Sequence, residues 1–282
     1  MELISIIIPT YNEEKVIGNC LSSLQDQSYQ PIEIVFVDDG STDETVKVIE
    51  NLKFKSENLR LLHQKHKGPG LARNLGASWA KGDILVFVDA DMTFNRDFIR
   101  DLVKPIIEGK AIGTFSKNEM VQNLDNIWSI CWNINRNVSK DRMLPLNYPD
   151  QAPVFRAILK KEFDKVEGFD TTGEYTDDWS LFQKLGIKST LAPGATYYHS
   201  NPASLKEVWK QARWIGKNEF ISGSLIRRLR SLIFYSPPMS LTIGTFKSII
   251  NRKLFFIFFK LIYDTAIRIS VIKSFFGEVK SK

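Results

Sequence analysis

Residues 84–91 read Ile84-Leu85-Val86-Phe87-Val88-Asp89-Ala90-Asp91. A short apolar run that ends at a carboxylate is typical of a strand buried on both faces of a parallel sheet. Three earlier runs have the same character, at residues 3–8, 32–37 and 59–63, and turn-forming residues follow them. The sequence therefore predicts four buried strands in the first third of the chain.

Helical patterns lie between these runs. They cover about residues 13–27 and begin again near residues 41, 70 and 95, the second with Ser41 and Glu44 in a capping-box spacing. The alternation of strands and helices predicts an α/β fold, a mostly parallel sheet flanked by helices on both faces. The less regular part that follows predicts strands near 111–115, 154–159 and 188–191 and helices near 124–138 and 177–185.

Polar side chains follow three of the predicted strands. They are Pro9-Thr10-Tyr11-Asn12-Glu13, Asp38-Asp39-Gly40-Ser41 and Asp89-Ala90-Asp91. The carboxyl ends of parallel strands meet at one edge of a sheet, where α/β proteins bind ligands. We expect these three segments to form a single site.

The chemistry expected at this site follows from its carboxylates. Asp89 and Asp91 can share a divalent cation, and Mg²⁺ or Mn²⁺ bridges protein carboxylates to substrate phosphates. Such a cation neutralises the charge that develops on a diphosphate leaving group. Asp38 and Asp39 can accept hydrogen bonds from a base or a ribose; the alternative is a turn whose Ser41 caps the next helix.

Lys67-Gly68-Pro69-Gly70-Leu71-Ala72-Arg73-Asn74 opens the third predicted helix. Glycines allow close approach of the backbone, and the amino terminus of a helix favours anions. Lys67 and Arg73 add positive charge. The segment matches neither the P-loop nor the dinucleotide-binding glycine pattern, and a purely structural turn remains an alternative.

Taken together, these motifs resemble family 2 glycosyltransferases, inverting enzymes of the Rossmann-like GT-A fold, over at least residues 3–205. The charge and composition of residues 206–282 predict a basic amphipathic helical region there, and the resemblance implies a nucleotide-sugar domain at 1–205. It also implies a divalent metal cofactor and a nucleotide-diphosphate sugar donor, often a UDP-sugar.

The resemblance also assigns residues. Pro9, Thr10, Tyr11 and Glu13 would line the nucleotide pocket, Asp39 would contact the base and Asp38 would support it. Lys67, Gly70 and Arg73 would lie near the diphosphate or the sugar, and Asp89, Ala90 and Asp91 would form the Asp-x-Asp motif, with Asp91 the more direct metal ligand.

The family's catalytic base is carried over to Asp178. The usual Glu-Asp pair reads Asp177-Asp178 here, so the first member departs from the pattern. Asp178 would take the proton from the acceptor hydroxyl as that oxygen attacks the anomeric carbon. The alternative is that both carboxylates only favour the amino terminus of a helix.

Two further positions match the family in part. His199 stands where many relatives carry a histidine near the metal or the diphosphate, although a structural histidine is equally open. Arg213 and Trp214 match the end of the Gln-x-x-Arg-Trp motif of processive members, but Lys210 occupies the place of the glutamine. We therefore predict transfer of a single sugar.

The net charge of +6 is unevenly distributed. Residues 206–282 contain 15 Lys and Arg and 4 Asp and Glu, a net charge of +11, so residues 1–205 carry −5. The basic region is also rich in Phe, Ile and Leu, which favours an anionic membrane surface and not nucleic acid. Lys260, Asp264 and Arg268 share one helix stripe, which predicts an interfacial helix with Arg252, Lys253 and Lys273 on anionic headgroups. Packing on the body or on a second subunit is the alternative.

The remaining features bear on location and function. The first residues lack the pattern of a secretory signal, and Cys20 and Cys131 lack metal-ligand spacing, which predicts reduced thiols. We expect a cytoplasmic protein at the inner face of the cell membrane. It would transfer a sugar to a glycan or polyprenyl-linked acceptor in envelope polysaccharide synthesis. A catalytically idle membrane-associated scaffold and a nucleotidyltransferase are the alternatives.

Overall fold

The computed structural model describes residues 1–53, 58–170, 177–219 and 224–276. The chain divides into two compact units. The α/β unit comprises Met1–Met120 and Leu146–His199, and the helical unit comprises Val121–Pro145 and Ser200–Lys282.

The strands and helices of the described ranges are numbered in chain order. The strands are β1 (Ile4–Thr10), β2 (Ile32–Asp38), β3 (Leu59–His63), β4 (Ile84–Phe87), β5 (Thr93–Phe94), β6 (Gly113–Phe115), β7 (Asn118–Val121), β8 (Gln151–Ala152), β9 (Ala157–Leu159), β10 (Ser189–Leu191) and β11 (Thr196–His199). The helices are α1 (Ile17–Gln25), α2 (Thr45–Lys53), α3 (Pro69–Trp79), α4 (Phe98–Ile107), α5 (Ile127–Arg136), α6 (Lys160–Lys165), α7 (Asp177–Leu185), α8 (Leu205–Glu219), α9 (Leu225–Phe234), α10 (Pro237–Asn251) and α11 (Phe256–Phe275).

The α/β unit is built on an eight-stranded sheet in the order β3-β2-β1-β4-β9-β6-β10-β8. Strands β1 to β4 run parallel, and β9 and β8 are antiparallel to their neighbours. The predicted α/β fold with a mostly parallel sheet is confirmed. Strand order reverses between β1 and β4, which is the position where such sheets bind ligands.

Both faces of the sheet are buried, as the apolar runs predict. Ile4, Ile6 and Ile8 of β1 belong to a core cluster with α1 and α4. Ile7, which points to the opposite face, belongs to a second cluster with α3, α6 and α7. Alternation of side chains along a strand therefore divides one apolar run between two helical layers.

Gly76 allows α3 to approach the sheet closely. A Cβ atom at this position would lie 2.5 Å from Cγ2 of Ile7 and 3.2 Å from Cγ2 of Val37. We predict that Gly76→Ala lowers the free energy of unfolding by about 1–3 kcal/mol, because both contacts are with packed core side chains. Urea unfolding measures the change. Gly18→Ala in α1 is the matched control, since no atom lies within 4 Å of its Cβ position; equal losses at both sites would contradict the packing explanation.

The predicted capping box at Ser41 is wrong. Helix α2 begins at Thr45. The backbone N–H of Thr45 donates a hydrogen bond to the carboxylate of Asp43 at 3.1 Å. The Ser41 hydroxyl instead accepts a hydrogen bond from the backbone N–H of Asn12 at 3.0 Å. Ser41 thus ties the segment after β2 to the segment after β1.

The helical unit begins earlier in the chain than the predicted boundary at residue 205. Helix α5 belongs to it because Cys131 and Trp132 share a buried cluster with Val208, Phe256 and Phe259. Helix α11 packs against α5, α8, α9 and α10. Both cysteines, Cys20 in the α/β unit and Cys131 here, are buried free thiols.

The predicted interfacial stripe of α11 is partly wrong. Lys260 and Asp264 are buried, with side chains 5% and 0% exposed, and they form an ion pair of 2.8 Å. The hydroxyl of Ser240 in α10 donates to the second carboxylate oxygen of Asp264 at 2.7 Å. These two charges therefore hold helices together, and large apolar side chains of α11 are exposed instead. Within the described residues, no helix has both the length and the hydrophobicity required to cross a bilayer.

Removing one partner of this buried pair is expected to be costly. Lys260→Met leaves the Asp264 carboxylate buried with only Ser240 to stabilise its charge, so we predict a loss of about 3 kcal/mol in the free energy of unfolding. The double variant Lys260→Met/Asp264→Leu removes both charges and should recover most of that loss. Urea unfolding of the single and double variants measures both. A double variant as unstable as Lys260→Met would contradict this view of the pair.

Candidate functional site

Three strand ends converge at one edge of the sheet, as predicted. In the parallel register Thr10 of β1 lies beside Asp38 of β2, and Ile7 lies beside Phe87 of β4. The backbone N–H of Asp39 donates to the carbonyl of Thr10 at 2.8 Å. Thr10, Asp38 and Asp39 are all buried, so the backbone itself holds the first two segments together.

The carboxylate of Asp39 organises the loop before α3. One oxygen accepts from Gln64 Nε2 at 2.6 Å and from the backbone N–H of Lys67 at 2.8 Å. The other contacts the backbone N–H of Gly68 and His66 Nδ1, both at 2.9 Å. These four partners occupy the lone-pair positions of the carboxylate. A ligand that bonds Asp39 must therefore replace a movable partner, the side chain of Gln64 or His66.

An aromatic surface lies next to this loop. The rings of Tyr11 and His66 stack with centroids 4.1 Å apart and an interplanar angle of 28°. Asn12 adopts a positive φ of 58°, and its side-chain oxygen accepts from the backbone N–H of Thr42 at 2.8 Å. The turn after β1 is thus fixed with Tyr11 exposed at 39%, in a position to contact a planar ligand.

Asp89 lies between two arginines. Its carboxylate oxygens contact Arg73 Nη2 at 2.8 Å and Arg156 Nη1 at 3.3 Å. Burial raises the pKa of Asp89, but the charges of Arg73 and Arg156 outweigh burial and hold that pKa well below its ordinary value. Asp89 is consequently a carboxylate at neutral pH. It aligns two cations at the edge of the site.

Asp91 belongs to a separate hydrogen-bond network. Its Oδ2 lies 2.9 Å from His199 Nε2, and His199 Nδ1 lies 3.2 Å from Oε1 of Glu119. Burial lowers the pKa of His199, but hydrogen bonds to Asp91 and Glu119 outweigh it and raise the pKa to about 10. The ring is therefore an imidazolium that donates to a carboxylate at each nitrogen.

The hydrogen-bond networks of Asp89 and Asp91 are connected through Tyr197. Tyr197 donates a hydrogen bond to Glu119 and accepts one from Arg156. The guanidinium of Arg156 also lies 5.5 Å from the centroid of the Tyr197 ring. Arg156, Glu119 and Tyr197 were not predicted as site residues, because each stands alone in a short strand or loop without a recognisable motif. For Glu119 and Arg156 the only signal was a charge within otherwise apolar or β-forming segments, and Tyr197 offered none.

A divalent cation fits this arrangement in part. Asp91 and His199 offer an oxygen and a nitrogen donor 2.9 Å apart, whereas the oxygens of Asp89 contact guanidinium groups. In the described ranges no three His, Cys, Asp or Glu residues are grouped to hold a metal by themselves. Mg²⁺ is usually held by one or two protein carboxylates and completed by substrate phosphates and water, so Asp91 would be the principal ligand here. A cation held by both residues would replace the proton between them.

The remaining predicted residues of the α/β unit lie at the following positions, and their roles at the site stay predictions. Glu13 donates its backbone N–H to the hydroxyl of Thr45 at 2.7 Å. Gly70 and Ala90 are buried, Lys67 is exposed, and Pro9 lies within β1 opposite Val37.

The predicted base lies at the beginning of α7. Asp177 and Asp178 lie in the first turn of α7, but their side chains lie outside the described part of the chain, as do residues 171–176. The helix is anchored just beyond them. The Ser180 hydroxyl accepts from the backbone N–H of Asp170 at 3.0 Å, and Leu181 is fully buried.

Arg213 and Trp214 belong to α8 of the helical unit and not to the α/β unit. Trp214 is 45% exposed. Burial lowers the pKa of Arg213, and its Nη1 has no hydrogen-bond partner among the described residues. The backbone carbonyl of Arg213 accepts from Ser270 of α11 at 3.1 Å. The structure therefore gives Arg213 a contact between α8 and α11, and a role of Arg213 or Trp214 at the site stays a prediction.

Comparison with known sequences identifies the family. The sequence profile named Glycosyl transferase family 2 matches residues 5–166, more than half of the chain. The chain belongs to glycosyl transferase family 2. The matched segment contains all three strand ends that build the site. It also contains Arg73 and Arg156, whereas His199 lies beyond it.

Individual relatives support the assignment. Glycosyltransferase GlyG of Streptococcus pneumoniae serotype 4 is 38% identical over 111 residues, which cover 39% of this chain and 37% of GlyG. The matched part thus spans less than half of that relative. A glycosyltransferase of Haemophilus influenzae is 42% identical over 115 residues, 40% of this chain and 46% of the relative.

Solved structures share the GT-A fold of this family 2 chain. Residues 1–349 of Staphylococcus aureus TarS, in complex with UDP-GlcNAc, superpose with a TM-score of 0.57 at 20% identity, covering 97% of this chain and 92% of TarS 1–349. The mannosyltransferase PcManGT of Pyrobaculum calidifontis, in complex with GDP-Man and Mn²⁺, gives a TM-score of 0.57 at 21% identity over 94% of this chain and 73% of that one. The predicted GT-A fold is confirmed.

Proposed function

We propose that this family 2 protein transfers a single sugar from a nucleotide-diphosphate sugar to a glycan or polyprenyl-linked acceptor. The observation that carries the proposal is the convergence of three carboxylate-centred networks on one sheet edge. The Asp39 network organises a loop beside an aromatic surface, and the Asp89–Asp91 networks supply paired cations and a carboxylate–imidazole pair. A nucleotide diphosphate offers groups that are complementary to each part.

The nucleoside would occupy the side of Tyr11 and the 64–68 loop. Tyr11 can stack on a base. If the ligand displaced the side chain of Gln64 or His66 from Asp39, the Asp39 carboxylate could accept a hydrogen bond from a base N–H or a ribose hydroxyl. We favour uridine. TarS, which has a similar fold, binds UDP-GlcNAc, and the family resemblance points in the same direction.

The diphosphate would lie toward Arg73, Arg156 and Asp91. The two guanidiniums hold Asp89 and are within reach of anionic oxygen atoms at the same edge, as bidentate phosphate recognition requires. Asp91 and His199 would hold Mn²⁺ or Mg²⁺, and a role for Asp89 as a further ligand requires one arginine to release its oxygen. The bound cation would neutralise negative charge on the departing diphosphate.

The acceptor would be activated by Asp178. A carboxylate in the first turn of α7 can take the proton of the acceptor hydroxyl as its oxygen forms a bond to the anomeric carbon. The bond from that carbon to the diphosphate oxygen breaks in the same step, and the configuration inverts. Anchoring of α7 by Ser180 and Leu181 would fix the position of this carboxylate.

We further propose that the protein works at the cytoplasmic face of the cell membrane, in synthesis of an envelope polysaccharide or glycoconjugate. The charge of +11 on residues 206–282 supports an anionic membrane surface as partner. A lipid-linked acceptor would be present at the same surface. Conventional nucleic acid recognition is disfavoured because the basic region is also strongly apolar.

Two other functions make different predictions. A catalytically idle scaffold of the same fold would bind no donor and would tolerate loss of Asp91. A nucleotidyltransferase would release inorganic diphosphate from a nucleoside triphosphate. The segment after β1, Pro9-Thr10-Tyr11-Asn12, lacks the glycine-rich loop expected of the latter class.

The direct test is release of nucleoside diphosphate from a panel of donors. The protein is incubated with UDP-glucose, UDP-galactose, UDP-GlcNAc and GDP-mannose, each with Mn²⁺ and with EDTA, and with soluble sugar acceptors. The proposal expects metal-dependent release from one donor above the Asp91→Asn background. Equal release by wild type and Asp91→Asn for every donor would contradict it.

A further inference from the structure

The end of α10 and the beginning of α11 expose an unusual group of side chains. We call residues 246–258 the apolar corner. Within it six large apolar residues are exposed by more than half: Phe246 (65%), Ile249 (69%), Ile250 (62%), Leu254 (76%), Phe255 (56%) and Phe258 (60%). Single exposed apolar residues are ordinary, but a concentrated group marks an interaction surface.

The packing of α10 on α11 explains why these side chains are outside. The buried positions of α10 are Ser240, Gly244 and Ser248, spaced four residues apart. A Cβ atom at Gly244 would lie 3.5 Å from both the Cα of Ile257 and the Cβ of Lys260. The helices therefore approach through small side chains, which leaves no room between them for large ones.

The contact between α10 and α11 is correspondingly polar. Lys260, Asp264 and Ser240 form a buried hydrogen-bonded group, and Ser248 donates to the carbonyl of Lys253 at 3.0 Å. Helix α10 thus buries its small and polar side chains and exposes its large apolar ones, the reverse of the usual arrangement in water. Small residues at helix contacts and apolar outer faces are the pattern of helices that are solvated by lipid.

Charge distinguishes lipid from another protein as the occupant. The apolar corner contains Lys247, Arg252 and Lys253 and no acidic residue. Between residues 224 and 276 the only acid is Asp264, which Lys260 already pairs. A second copy of this chain that docked through the same corner would bring a like-charged surface against it, which is unfavourable. An anionic bilayer supplies both negative headgroups and an apolar layer beneath them.

We propose that the apolar corner inserts into the headgroup–acyl boundary of an anionic membrane. Leu254, Ile249 and Phe258 enter the apolar layer, and Arg252 and Lys253 contact lipid phosphates. The proposal rests on the membrane part of the proposed function and refines it. It assigns the membrane contact to one surface, in place of the Lys260–Asp264–Arg268 stripe that the sequence predicted. It does not depend on the identity of the donor.

The test is sedimentation of the full chain with lipid vesicles. Leu254→Glu and Ile249→Glu are compared with Leu146→Glu, a matched control in the α/β unit whose leucine is 72% exposed. Vesicles of phosphatidylcholine alone and of phosphatidylcholine with phosphatidylglycerol serve as probes. We expect wild type and Leu146→Glu to bind the anionic vesicles, and each corner variant to bind them roughly tenfold or more weakly.

Further measurements separate the contributions. Arg252→Gln/Lys253→Gln should weaken binding to the anionic vesicles and reduce its dependence on salt. Asp91→Asn should bind vesicles as wild type does. Vesicle binding is therefore tested independently of donor binding and sugar transfer. Equal vesicle binding by wild type and Leu254→Glu would overturn the proposal. So would a lipid-free dimer in sedimentation velocity that Leu254→Glu dissociates, without vesicle binding by either protein.

Discussion

Replacement of Asp91 by asparagine is expected to lower turnover by roughly 10²–10³-fold at saturating donor, equivalent to about 3–4 kcal/mol of lost transition-state stabilisation. The amide removes the anionic oxygen that lies 2.9 Å from His199 Nε2. A cation bound at this edge would lose its only carboxylate ligand that does not contact an arginine. The apparent affinity for Mn²⁺, measured from the dependence of turnover on its concentration, should fall together with turnover.

Two variants make this experiment specific. Asp150→Asn, with a side chain 74% exposed, controls for loss of an acidic side chain and should retain wild-type turnover. Asp89→Asn removes the carboxylate between Arg73 and Arg156 and should impair turnover while changing the apparent Mn²⁺ affinity less than Asp91→Asn does. The metal assignment would be wrong if Asp91→Asn retained the Mn²⁺ dependence of the wild type.

Replacement of Asp178 by asparagine is expected to lower kcat by about 10²–10⁴-fold, the usual contribution of a general base. An amide cannot accept the proton of the acceptor hydroxyl at neutral pH. Donor binding does not involve this proton, so the thermal stabilisation by nucleotide and Mn²⁺ should be unchanged. The expected signature is therefore a loss of kcat without a loss of donor affinity.

The adjacent carboxylate provides the control. Asp177→Asn alters the same helix turn and the same net charge, and it should change kcat by less than about tenfold, within the range of an indirect electrostatic effect. If kcat of Asp178→Asn equals that of the wild type, Asp178 is not the base. If Asp177→Asn shows the larger loss of kcat, the base is Asp177.

The buried strands were the most predictable part of the fold. Each of β1 to β4 is a short apolar run that ends at a turn. Such a run fits best in the interior of a parallel sheet, where both faces of the strand are buried. Helix starts were less predictable. The Ser41 pattern failed because the hydroxyl is used by Asn12 across the sheet edge, a tertiary contact that local spacing cannot reveal.

The site was predictable where its residues follow a strand directly. Asp38, Asp39, Asp89 and Asp91 share an edge because strand order and direction place them there. The partners behind them were not predictable. Glu119 and Arg156 reach the site from short strands and loops far along the chain. No local sequence pattern around either residue predicts this contact.

The helical region shows a different limit. Its composition indicated an anionic surface as partner, but the spacing of Lys260, Asp264 and Arg268 indicated the wrong face. A stripe of charge at helical spacing can face solvent, or it can pair inside a bundle, and the sequence alone does not distinguish these. The small residues Ser240, Gly244 and Ser248 were the informative signal, since they show which side of α10 is packed.

The sheet edge is proposed to bind a nucleotide diphosphate together with a metal. Thermal unfolding in the presence of UDP, GDP, TDP or CDP, each with Mn²⁺ and with EDTA, measures this binding. We predict stabilisation by UDP that requires Mn²⁺, about 2.7 kcal/mol at a ligand concentration one hundredfold above Kd, and no such stabilisation of Asp91→Asn. Absence of a metal-dependent shift with all four nucleotides would contradict the proposal.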